Sequence, residues 1–347
     1  MITDIGPMSV NTNFLLIQLR QLGDVLLTTP IARIIKETHP GAAVCFWTEA
    51  ACQSVLQENP YIDRMVVSER TSNLQHTFSL VRQLRQSRFD VLIDFMSNPR
   101  SAIFSFLSGA PMRISYRKGG RGLLYTHQVD PGNVPYAVDY KKALLQPLGI
   151  KNEWHLPEIF LTQKEHVFGR DLRQKLLPPE KLRLITIDPS HRRYTRRWPA
   201  EHYARFSKLM AEQMRALPLV LWGPGEEETA RKIVAASGNR AMMAPETSVR
   251  EMAALIKAAD LHVGNCSAPR HIAVAVGTPS FTILGSTSSG WTFPAEIHTD
   301  CSLGIHCQPC NRNECSIKVK CLTDLLPQDA FEQLARWTHA SLGWGSE

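Results

Sequence analysis

The sequence predicts an α/β protein with two Rossmann-like domains, each an open, mostly parallel sheet covered by helices. Short apolar segments typical of buried strands alternate with helical segments along most of the 347 residues. The alternation stops at residues 151–161, which have no clear period, and then starts again. A chain of this length exceeds one ordinary core. We therefore predict domains at 1–160 and 161–326 and a C-terminal helix at 327–347 that packs back on the first domain.

The first half begins with a strand, a polar turn and a helix, and this order repeats. Apolar runs predict strands at 14–19, 43–47, 62–67, 91–95 and 112–116. Helical patterns occupy 24–37, 50–57, 74–88 and 99–107, and residues 140–148 close this half. We expect ligands at the carboxyl ends of the strands, in a cleft between the domains.

The second half repeats this order up to an irregular tail. Strands are predicted at 182–187, 219–222, 261–263 and 279–284. Helices are predicted at 202–214, 226–236, 249–259 and 327–342, with a short helix between Ser267 and Gly277. Residues 286–321 have no predicted element.

Charge and hydropathy limit the function classes. The net charge of +7 favours an anionic partner such as a nucleotide, a nucleic acid or an acidic membrane surface. The first residues lack the basic and apolar regions of a secretory signal, and no apolar run approaches the roughly 20 residues that span a bilayer. We expect a cytoplasmic protein that is at most peripheral to a membrane.

The segment from Leu261 to Gly285 is the strongest candidate for a ligand site. It predicts a strand, a turn, a short helix capped by Ser267 with Pro269 in its first turn, and a second strand. Free backbone N–H groups at such a helix start favour an anion, above all a phosphate. The alternative is an ordinary strand–helix–strand unit without a ligand.

Asp24 follows the first predicted strand, where a carboxylate can take a proton from a bound hydroxyl. Its alternative role is to cap the following helix.

Arg196 and Arg197 belong to an arginine-rich loop after the first strand of the second half. The guanidinium group of arginine pairs with phosphate oxygens. The alternative is a solvated surface loop. Glu226 ends a Gly-Pro-Gly turn and either accepts hydrogen bonds from a ribose or favours a helix dipole.

Two further groups of residues have less specific patterns. Arg117, Lys118 and Arg121 form a basic loop that is a candidate contact for a phosphorylated or lipid-surface acceptor, or a solvated loop. The four cysteines of the tail have a spacing that can hold structural zinc: Cys307, Cys310, Cys315 and Cys321. Only one CxxC unit is present, so reduced thiols that pack the loop are the alternative, and we predict no required metal.

Two segments together resemble the motifs of glycosyltransferase family 9, the ADP-heptose:lipopolysaccharide heptosyltransferases. IQLRQLGDVLLTTPIAR is similar to the opening motif, and VGNCSAPRHIAVAVGTPSFTILGSTS is similar to GNDSGPxHxAxAxGxPxxxLFGPT. Further segments are similar to features common in the family, namely RRWPAEHYARF, WGPGEE and the cysteine-bearing tail. The resemblance implies a GT-B fold with an acceptor domain first, a nucleotide-sugar donor domain second, and a C-terminal helix that returns to the first domain.

The resemblance also implies a reaction. It is the inverting, metal-independent transfer of a heptose from ADP-heptose to the inner core of lipopolysaccharide on its lipid A precursor, with no cofactor and no nucleic acid. Peripheral contact with the cytoplasmic face of the inner membrane follows. Asp24 falls on the family's proposed general base. The implied donor-binding residues are Arg196, Arg197, Glu226, Asn265, Cys266, Ser267, Ala268, Pro269 and His271.

The second motif departs from the family pattern at two positions. Cys266 stands where the family has Asp, and Ala268 stands where it has Gly. Loss of the carboxylate either removes a donor contact or reduces repulsion of a more anionic donor. The alternatives to heptose transfer are therefore another nucleotide-sugar donor and a catalytically silent relative that binds nucleotide or glycolipid. A nucleic-acid-binding protein lacks a recognition motif here, and a nicotinamide dehydrogenase lacks a complete dinucleotide fingerprint.

Overall fold

The computed structural model describes residues 11–69, 74–117, 119–154, 156–181 and 183–345. They form two compact units that divide between Phe160 and Leu161. Within the described residues each unit contains a six-stranded sheet, and every strand pair is parallel. The predicted α/β fold class is therefore confirmed.

The sheet of the first unit has the strand order β3-β2-β1-β4-β5-β6. Its strands are β1 (Asn13–Ile17), β2 (Ala43–Glu49), β3 (Arg64–Ser68), β4 (Val91–Asp94), β5 (Met112–Tyr116) and β6 (His127–Val129). Its helices are α1 (Leu22–Leu26), α2 (Thr29–Thr38), α3 (Leu74–Gln86), α4 (Pro99–Leu107) and α5 (Ala137–Lys142), with 3₁₀ turns at Ala50–Val55, Gly119–Leu124 and Ala143–Leu148.

The sheet of the second unit has the order β12-β11-β10-β7-β8-β9. Its strands are β7 (Arg183–Asp188), β8 (Ala216–Val220), β9 (Met242–Met243), β10 (Leu261–Asn265), β11 (Ser280–Ile283) and β12 (His298–Cys301). Its helices are α6 (Gln163–Leu176), α7 (Ala200–Gln213), α8 (Glu227–Ala236), α9 (Val249–Ala258), α10 (Ala268–Val276), α11 (Lys320–Thr323) and α12 (Pro327–Leu342), with 3₁₀ turns at Tyr194–Arg196 and Ser289–Trp291.

Both sheets have the Rossmann arrangement, in which the chain leaves the first strand to one side and later returns to its other side. The point of reversal lies between β1 and β4 in the first unit and between β7 and β10 in the second. Crevices at the carboxyl ends of such strand pairs are the usual ligand positions in open parallel sheets. The fold therefore directs attention to the residues that follow β1, β4, β7 and β10.

Several predicted elements differ from the structure. The predicted helix at 50–57 is the 3₁₀ turn Ala50–Val55, and the short strands β6 and β9 were not predicted. The single helix at 24–37 is two helices, α1 and α2, because Pro30 has no N–H to continue a helix and instead occupies the first turn of α2. The irregular tail contains β12, which sequence patterning missed because His298 and Asp300 interrupt its apolar character. Helix α6 was also missed, although Thr162 and Glu165 form its capping box.

The C-terminal helix α12 packs on α7 of the second unit. Phe331 and Leu334 are buried in the same apolar cluster as Trp198 and Phe206, and the rings of Phe206 and Phe331 are 6.4 Å apart. Trp198 also donates a hydrogen bond from Nε1 to the carbonyl of Leu325, at 3.1 Å. The helix thus completes the core of the second unit, and its predicted packing on the first unit stays a prediction.

Candidate functional site

The residues predicted to bind a donor surround the carboxyl ends of β7 and β10. Strand β7 ends at Asp188, and β10, which pairs with it, ends at Asn265. The loop that contains Arg196 follows β7, and the segment from Cys266 to His271 follows β10. The structure therefore gathers most of the predicted donor residues at one edge of one sheet.

Asn265 is fully buried and connects the two loops. Its Oδ1 accepts a hydrogen bond from the backbone N–H of Trp198 at 3.0 Å, and its Nδ2 donates to the carbonyl of Ser190 at 3.4 Å. The side chain is thus committed to the protein backbone. Trp198 is itself fully buried and belongs to the apolar core of the second unit.

Ser267 occupies the N-cap position of α10, but its side chain does not cap the helix. Its hydroxyl instead donates a hydrogen bond to Oδ2 of Asp188. The predicted capping hydrogen bond is therefore wrong: the Ser267 side chain is directed to the Asp188 carboxylate and accepts no bond from the first N–H groups of the helix. Ala268 and Pro269 form the half-exposed first turn of α10, and Gly277 ends the helix with a left-handed φ of 76°.

Asp188 lies beneath this turn and is buried. Its Oδ1 accepts a hydrogen bond from the N–H of Ser190 at 3.1 Å, and no ion pair to Asp188 forms within the described ranges. Burial raises the pKa of this carboxyl to about 7, with a smaller increase from the charge of Glu226 and partial opposition from the hydrogen bonds of Ser267 and Ser190. A buried acid that titrates near neutral pH is typical of functional sites.

Cys266 stands in contact with a buried arginine. Nη1 of Arg270 lies 3.2 Å from the Sγ of Cys266, and Nη2 donates to the hydroxyl of Thr292 at 2.7 Å. Thr292 in turn donates to Asp300 at 2.5 Å. The guanidinium therefore contacts a thiol and a hydroxyl directly. It is connected to the carboxylate of Asp300 only through the hydroxyl of Thr292.

His271, the next residue, is also buried and lies beside an aromatic ring. Its ring centroid is 6.1 Å from that of Trp291. It is thus buried beside the 3₁₀ turn Ser289–Trp291.

The arginine-rich loop after β7 is fixed by neighbouring backbone. The carbonyl of Thr195 accepts a hydrogen bond from the N–H of Ser286 at 3.0 Å, and its hydroxyl donates to the carbonyl of Arg312 at 2.9 Å. Arg196 is half-buried and Arg197 is exposed. Burial, followed by the charge of Arg196, lowers the pKa of His191 to about 4, so His191 is neutral at physiological pH and Arg196 supplies positive charge here.

Glu226 closes the Gly-Pro-Gly turn after β8. Its Oε2 accepts a hydrogen bond from the N–H of Gly223 at 2.9 Å, and its own N–H donates to the carbonyl of Gly223 at 2.9 Å. Its backbone lies at the N-cap position of α8, although its side chain does not cap that helix. The remaining carboxylate oxygen stays available to a ligand at the same edge of the sheet.

In the first unit, Asp24 lies in the first turn of α1 and is half-buried. The N-cap residue is Gln21, so the capping alternative for Asp24 is wrong. Among the described residues its carboxylate makes no hydrogen bond or ion pair. Nearby, buried Lys141 donates from Nζ to Oε1 of Gln18 at 3.1 Å. Burial lowers the pKa of Lys141, and the charge of Asp24 partly opposes this.

The predicted acceptor residues lie between β5 and β6. Arg117 is exposed at the end of β5, and Arg121 lies within the 3₁₀ turn Gly119–Leu124. Lys118 lies outside the described residues. The acceptor role of this loop therefore stays a prediction.

The described part of the chain contains no group of three or more His, Cys, Asp or Glu side chains placed to hold a metal ion. The four tail cysteines are free, and the zinc alternative is not supported by their geometry. Burial raises the pKa of Cys321 to about 11, with smaller increases from Cys315, Cys307 and Cys310. The thiols thus lie near one another, but among the described residues they do not form a tetrahedral metal site.

Sequence reasoning missed three charged residues in these sites: Asp188, Arg270 and Lys141. Asp188 ends a strand beside the reversal point of its sheet, which was a usable signal. Arg270 lies inside the recognised second motif, at a position the motif leaves unspecified. Lys141 is distant in sequence from Asp24 and only the fold brings the two together.

Comparison with known proteins identifies the family of this chain. A model of glycosyltransferase family 9 (heptosyltransferase) matches residues 77–320. Lipopolysaccharide heptosyltransferase 3 of Escherichia coli K12 is 28% identical over 78% of this chain and 81% of its own length. In the part of the chain that the structure describes, no helix has the length and apolar character needed to cross a membrane.

Two solved structures share the fold. The family 9 glycosyltransferase of Veillonella parvula has a TM-score of 0.81 at 18% identity, covering 97% of this chain and 99% of that one. ADP-heptose LPS heptosyltransferase II of E. coli has a TM-score of 0.76 at 21% identity, covering 94% and 98%. These likenesses confirm the GT-B fold class. With the family model spanning more than half of its length, the chain belongs to glycosyltransferase family 9 and is a glycosyltransferase.

Proposed function

We propose that the protein transfers a heptose from ADP-heptose to the inner core of lipopolysaccharide, with inversion and without a metal. The observation that carries this proposal is the meeting of the Arg196 loop with the first turn of α10 at the ends of β7 and β10. Backbone N–H groups and guanidinium forks are suited to a diphosphate. The names of the relatives, lipopolysaccharide and ADP-heptose heptosyltransferases, supply the sugar and the nucleotide.

In the proposed reaction the acceptor hydroxyl oxygen attacks the anomeric carbon of the heptose. Asp24 takes the proton of that hydroxyl, and the bond from the anomeric carbon to the diphosphate oxygen breaks with its electron pair leaving on ADP. Arg196, Arg197 and the start of α10 stabilise the negative charge that develops on the leaving diphosphate. Glu226 is assigned to the ribose hydroxyls.

We further propose a division of roles between the units. The first unit binds the acceptor through Arg117, Lys118 and Arg121, and the second binds the nucleotide-sugar. Because the acceptor of this reaction is attached to lipid A, the protein works at the cytoplasmic face of the inner membrane. The gathering of the predicted donor residues at the ends of β7 and β10 supports the donor role of the second unit.

Cys266 supports a second candidate, a family member that uses a different nucleotide-sugar. The family pattern has Asp at this position, whereas this chain has a thiol in contact with a buried guanidinium. The site therefore has one negative charge fewer than the family pattern. A more anionic donor sugar fits this change, as does a silent binding protein.

Calorimetric titration with ADP, UDP, GDP and ADP-heptose, followed by a transfer assay, tests these proposals. We expect selective binding of ADP, at least about tenfold weaker in Arg196→Ala because a charge-assisted contact is lost. Arg240→Ala is the matched control, since Arg240 lies between α8 and β9 at the opposite edge of the sheet. Asp24→Asn should bind ADP normally and transfer about 10²–10⁴-fold more slowly. Preference for UDP or GDP would indicate a donor with a different nucleotide. Binding without transfer would support a catalytically silent relative that binds nucleotide.

A further inference from the structure

Large apolar side chains are exposed together on one side of the first unit. Phe78 on α3 is 73% exposed, Ile103 and Phe106 on α4 are 51% and 52% exposed, and Leu123 in the 3₁₀ turn is 88% exposed. With Arg82, Arg85 and Arg113 we call these residues the basic apolar face. Exposed apolar side chains grouped in this way indicate an interaction surface.

Helix periodicity and direct contacts join the face into one surface. Phe78, Arg82 and Arg85 are spaced four and three residues apart, so they share one side of α3. Arg85 donates from Nε to the carbonyl of Leu107 at 2.9 Å, which links α3 to the end of α4. Ile103 and Phe106 likewise share one side of α4.

Arg113 links α4 to the 3₁₀ turn. Its guanidinium carbon lies 5.7 Å from the centroid of the Phe106 ring. It also donates from Nε to the carbonyl of Leu124 at 3.0 Å and from Nη1 to the carbonyl of Ala110 at 2.6 Å. Leu123 is therefore continuous with Phe106, and the face extends over three elements.

The face has positive charge that no carboxylate balances. There is no Asp or Glu between Asp94 and Asp130, and none in α3. Within the described ranges, Arg82, Arg85 and Arg113 form no ion pair, since the contacts of Arg85 and Arg113 are with carbonyls and an aromatic ring. The basic loop that contains Arg117 adjoins the same 3₁₀ turn and adds to this potential.

This combination fits an anionic lipid surface. Single large apolar side chains enter the boundary between headgroups and acyl chains, while surrounding arginines attract anionic headgroups. A symmetric contact between two copies of the face would bring arginine against arginine, which like charges oppose. A folded partner protein would need an acidic, apolar surface of matching shape, whereas a bilayer presents both properties without shape matching.

We propose that the basic apolar face docks the protein on an anionic bilayer. The apolar side chains that enter the interface are Phe78, Ile103, Phe106 and Leu123, and the exposed Arg82 contacts the headgroups. The inference rests on the proposed function in one respect, that the acceptor is held in a lipid surface. The contact is reversible, because a few apolar side chains and charges give modest membrane affinity.

Flotation of the full chain with vesicles tests the proposal. The probe vesicles contain phosphatidylethanolamine and phosphatidylglycerol, and the comparison vesicles contain phosphatidylcholine alone. We expect binding to the anionic vesicles that weakens as salt is raised. The double variants Phe78→Ser/Arg82→Glu and Phe106→Ser/Leu123→Ser should each weaken binding at least about tenfold. The first loses an interfacial charge, worth about fivefold, together with an apolar side chain, and the second loses two apolar side chains.

The matched control is Val167→Ser/Lys164→Glu. It makes the same kinds of change on α6 of the second unit, where both residues are exposed, and should bind vesicles like the wild type. Equal loss in this control, or equal binding of the wild type to phosphatidylcholine, would overturn the proposal. A different result would also overturn it: the wild type does not bind vesicles and forms a dimer, and the Phe106→Ser/Leu123→Ser variant is monomeric. The face would then be the contact between two copies of the chain.

A further measurement separates this proposal from the proposed function. Transfer to a deacylated, water-soluble acceptor needs no membrane, so the face variants should keep wild-type rates there and lose rate only on acceptor in vesicles. Vesicle binding without any transfer would overturn the proposed heptose transfer and leave the docking face. Transfer without vesicle binding would do the reverse.

Discussion

The carboxylate of Asp188, the last residue of β7, accepts a hydrogen bond from the hydroxyl of Ser267, at the start of α10. The bond spans the two strands between which the chain order of the sheet reverses. Asp188 is buried and Ser267 is half-exposed, so the acid lies directly below the proposed diphosphate position. A titratable group thus supports the turn on which the donor proposal depends.

The first prediction concerns stability against pH. Burial raises the pKa of Asp188 from 3.8 to about 7, so the folded protein binds more protons than the unfolded chain between these values. The stability that this group contributes is fully present below pH 3.8 and is lost as the pH rises through about 7. We expect Asp188→Asn to be more stable than the wild type at about pH 8 by about 1–3 kcal/mol, and to lack this decline in urea unfolding.

Asp260→Asn provides the control for this measurement. Asp260 lies at the other end of β7, where it accepts from the N–H of Leu184 and pairs with Arg173 at 2.8 Å. Its removal should lower the free energy of unfolding at neutral pH. An Asp188→Asn variant with the same pH decline as the wild type would show that another group causes it.

The second prediction concerns the buried lysine near Asp24. Lys141→Met keeps the length and apolar stem of the side chain and removes its charge. Burial lowers the pKa of Lys141, so the unfolded chain holds this proton more readily than the folded protein, and the stability that the group contributes grows as the pH rises toward 10.5. We expect Lys141→Met to lack this rise in the free energy of unfolding between neutral pH and about pH 10, as measured by urea unfolding. Lys142→Met is the control, because Lys142 pairs with Asp139 at 3.1 Å. Equal profiles for the two variants would contradict the prediction.

The third prediction concerns the thiol that replaces the family's carboxylate. Cys266→Asp places a negative charge beside the buried guanidinium of Arg270, where Sγ now lies 3.2 Å from Nη1. A charge-assisted hydrogen bond should raise the free energy of unfolding by about 1–2 kcal/mol at pH 7. Cys266→Asn, nearly the same size but uncharged, is the comparison. If Asn stabilises as much as Asp, charge is not the cause.

The fourth prediction concerns the close approach of backbone at Gly285. A methyl group there would lie 2.4 Å from the carbonyl oxygen of Thr195 and 2.8 Å from Cδ1 of Leu322. Gly285→Ala must displace the arginine-rich loop, so we expect a loss of about 1–3 kcal/mol in urea unfolding and weaker ADP binding in calorimetry. Gly120→Ala is the control, since nothing lies within 4 Å of its added methyl. Unchanged ADP affinity in Gly285→Ala would show that the arginine-rich loop does not contribute to ADP binding.

The elements that sequence predicts well are those whose own residues determine them. Helix α4 was predicted with its observed bounds because Asn98 caps it and Pro99 begins it. Strand β12 was missed because its polar residues are satisfied only by tertiary partners, such as the hydroxyl of Ser280 for His298 at 2.9 Å. Periodicity records which face is apolar and does not record such pairings.

The same distinction applies to the candidate site. The motif around Ser267 can be recognised in the sequence because its residues are contiguous. The direction of each side chain cannot be recognised in this way. Ser267 turns to Asp188 and Asn265 turns to the backbone of Trp198, and both partners lie more than sixty residues away in the chain. Long-range hydrogen bonds of buried groups therefore decide which motif residues remain available to a ligand.

The packing of α12 has a consequence for synthesis on the ribosome. The first unit ends at Phe160, and the apolar cluster that contains Leu15 and Trp47 within its described residues extends no further than Ala110. The second unit cannot bury Trp198 and Phe206 until Leu325, Phe331 and Leu334 have been translated, well over one hundred residues afterwards. During that interval these aromatic rings remain exposed in a nascent chain. The arginine loop beside Trp198 thus acquires its final shape only when translation is almost finished.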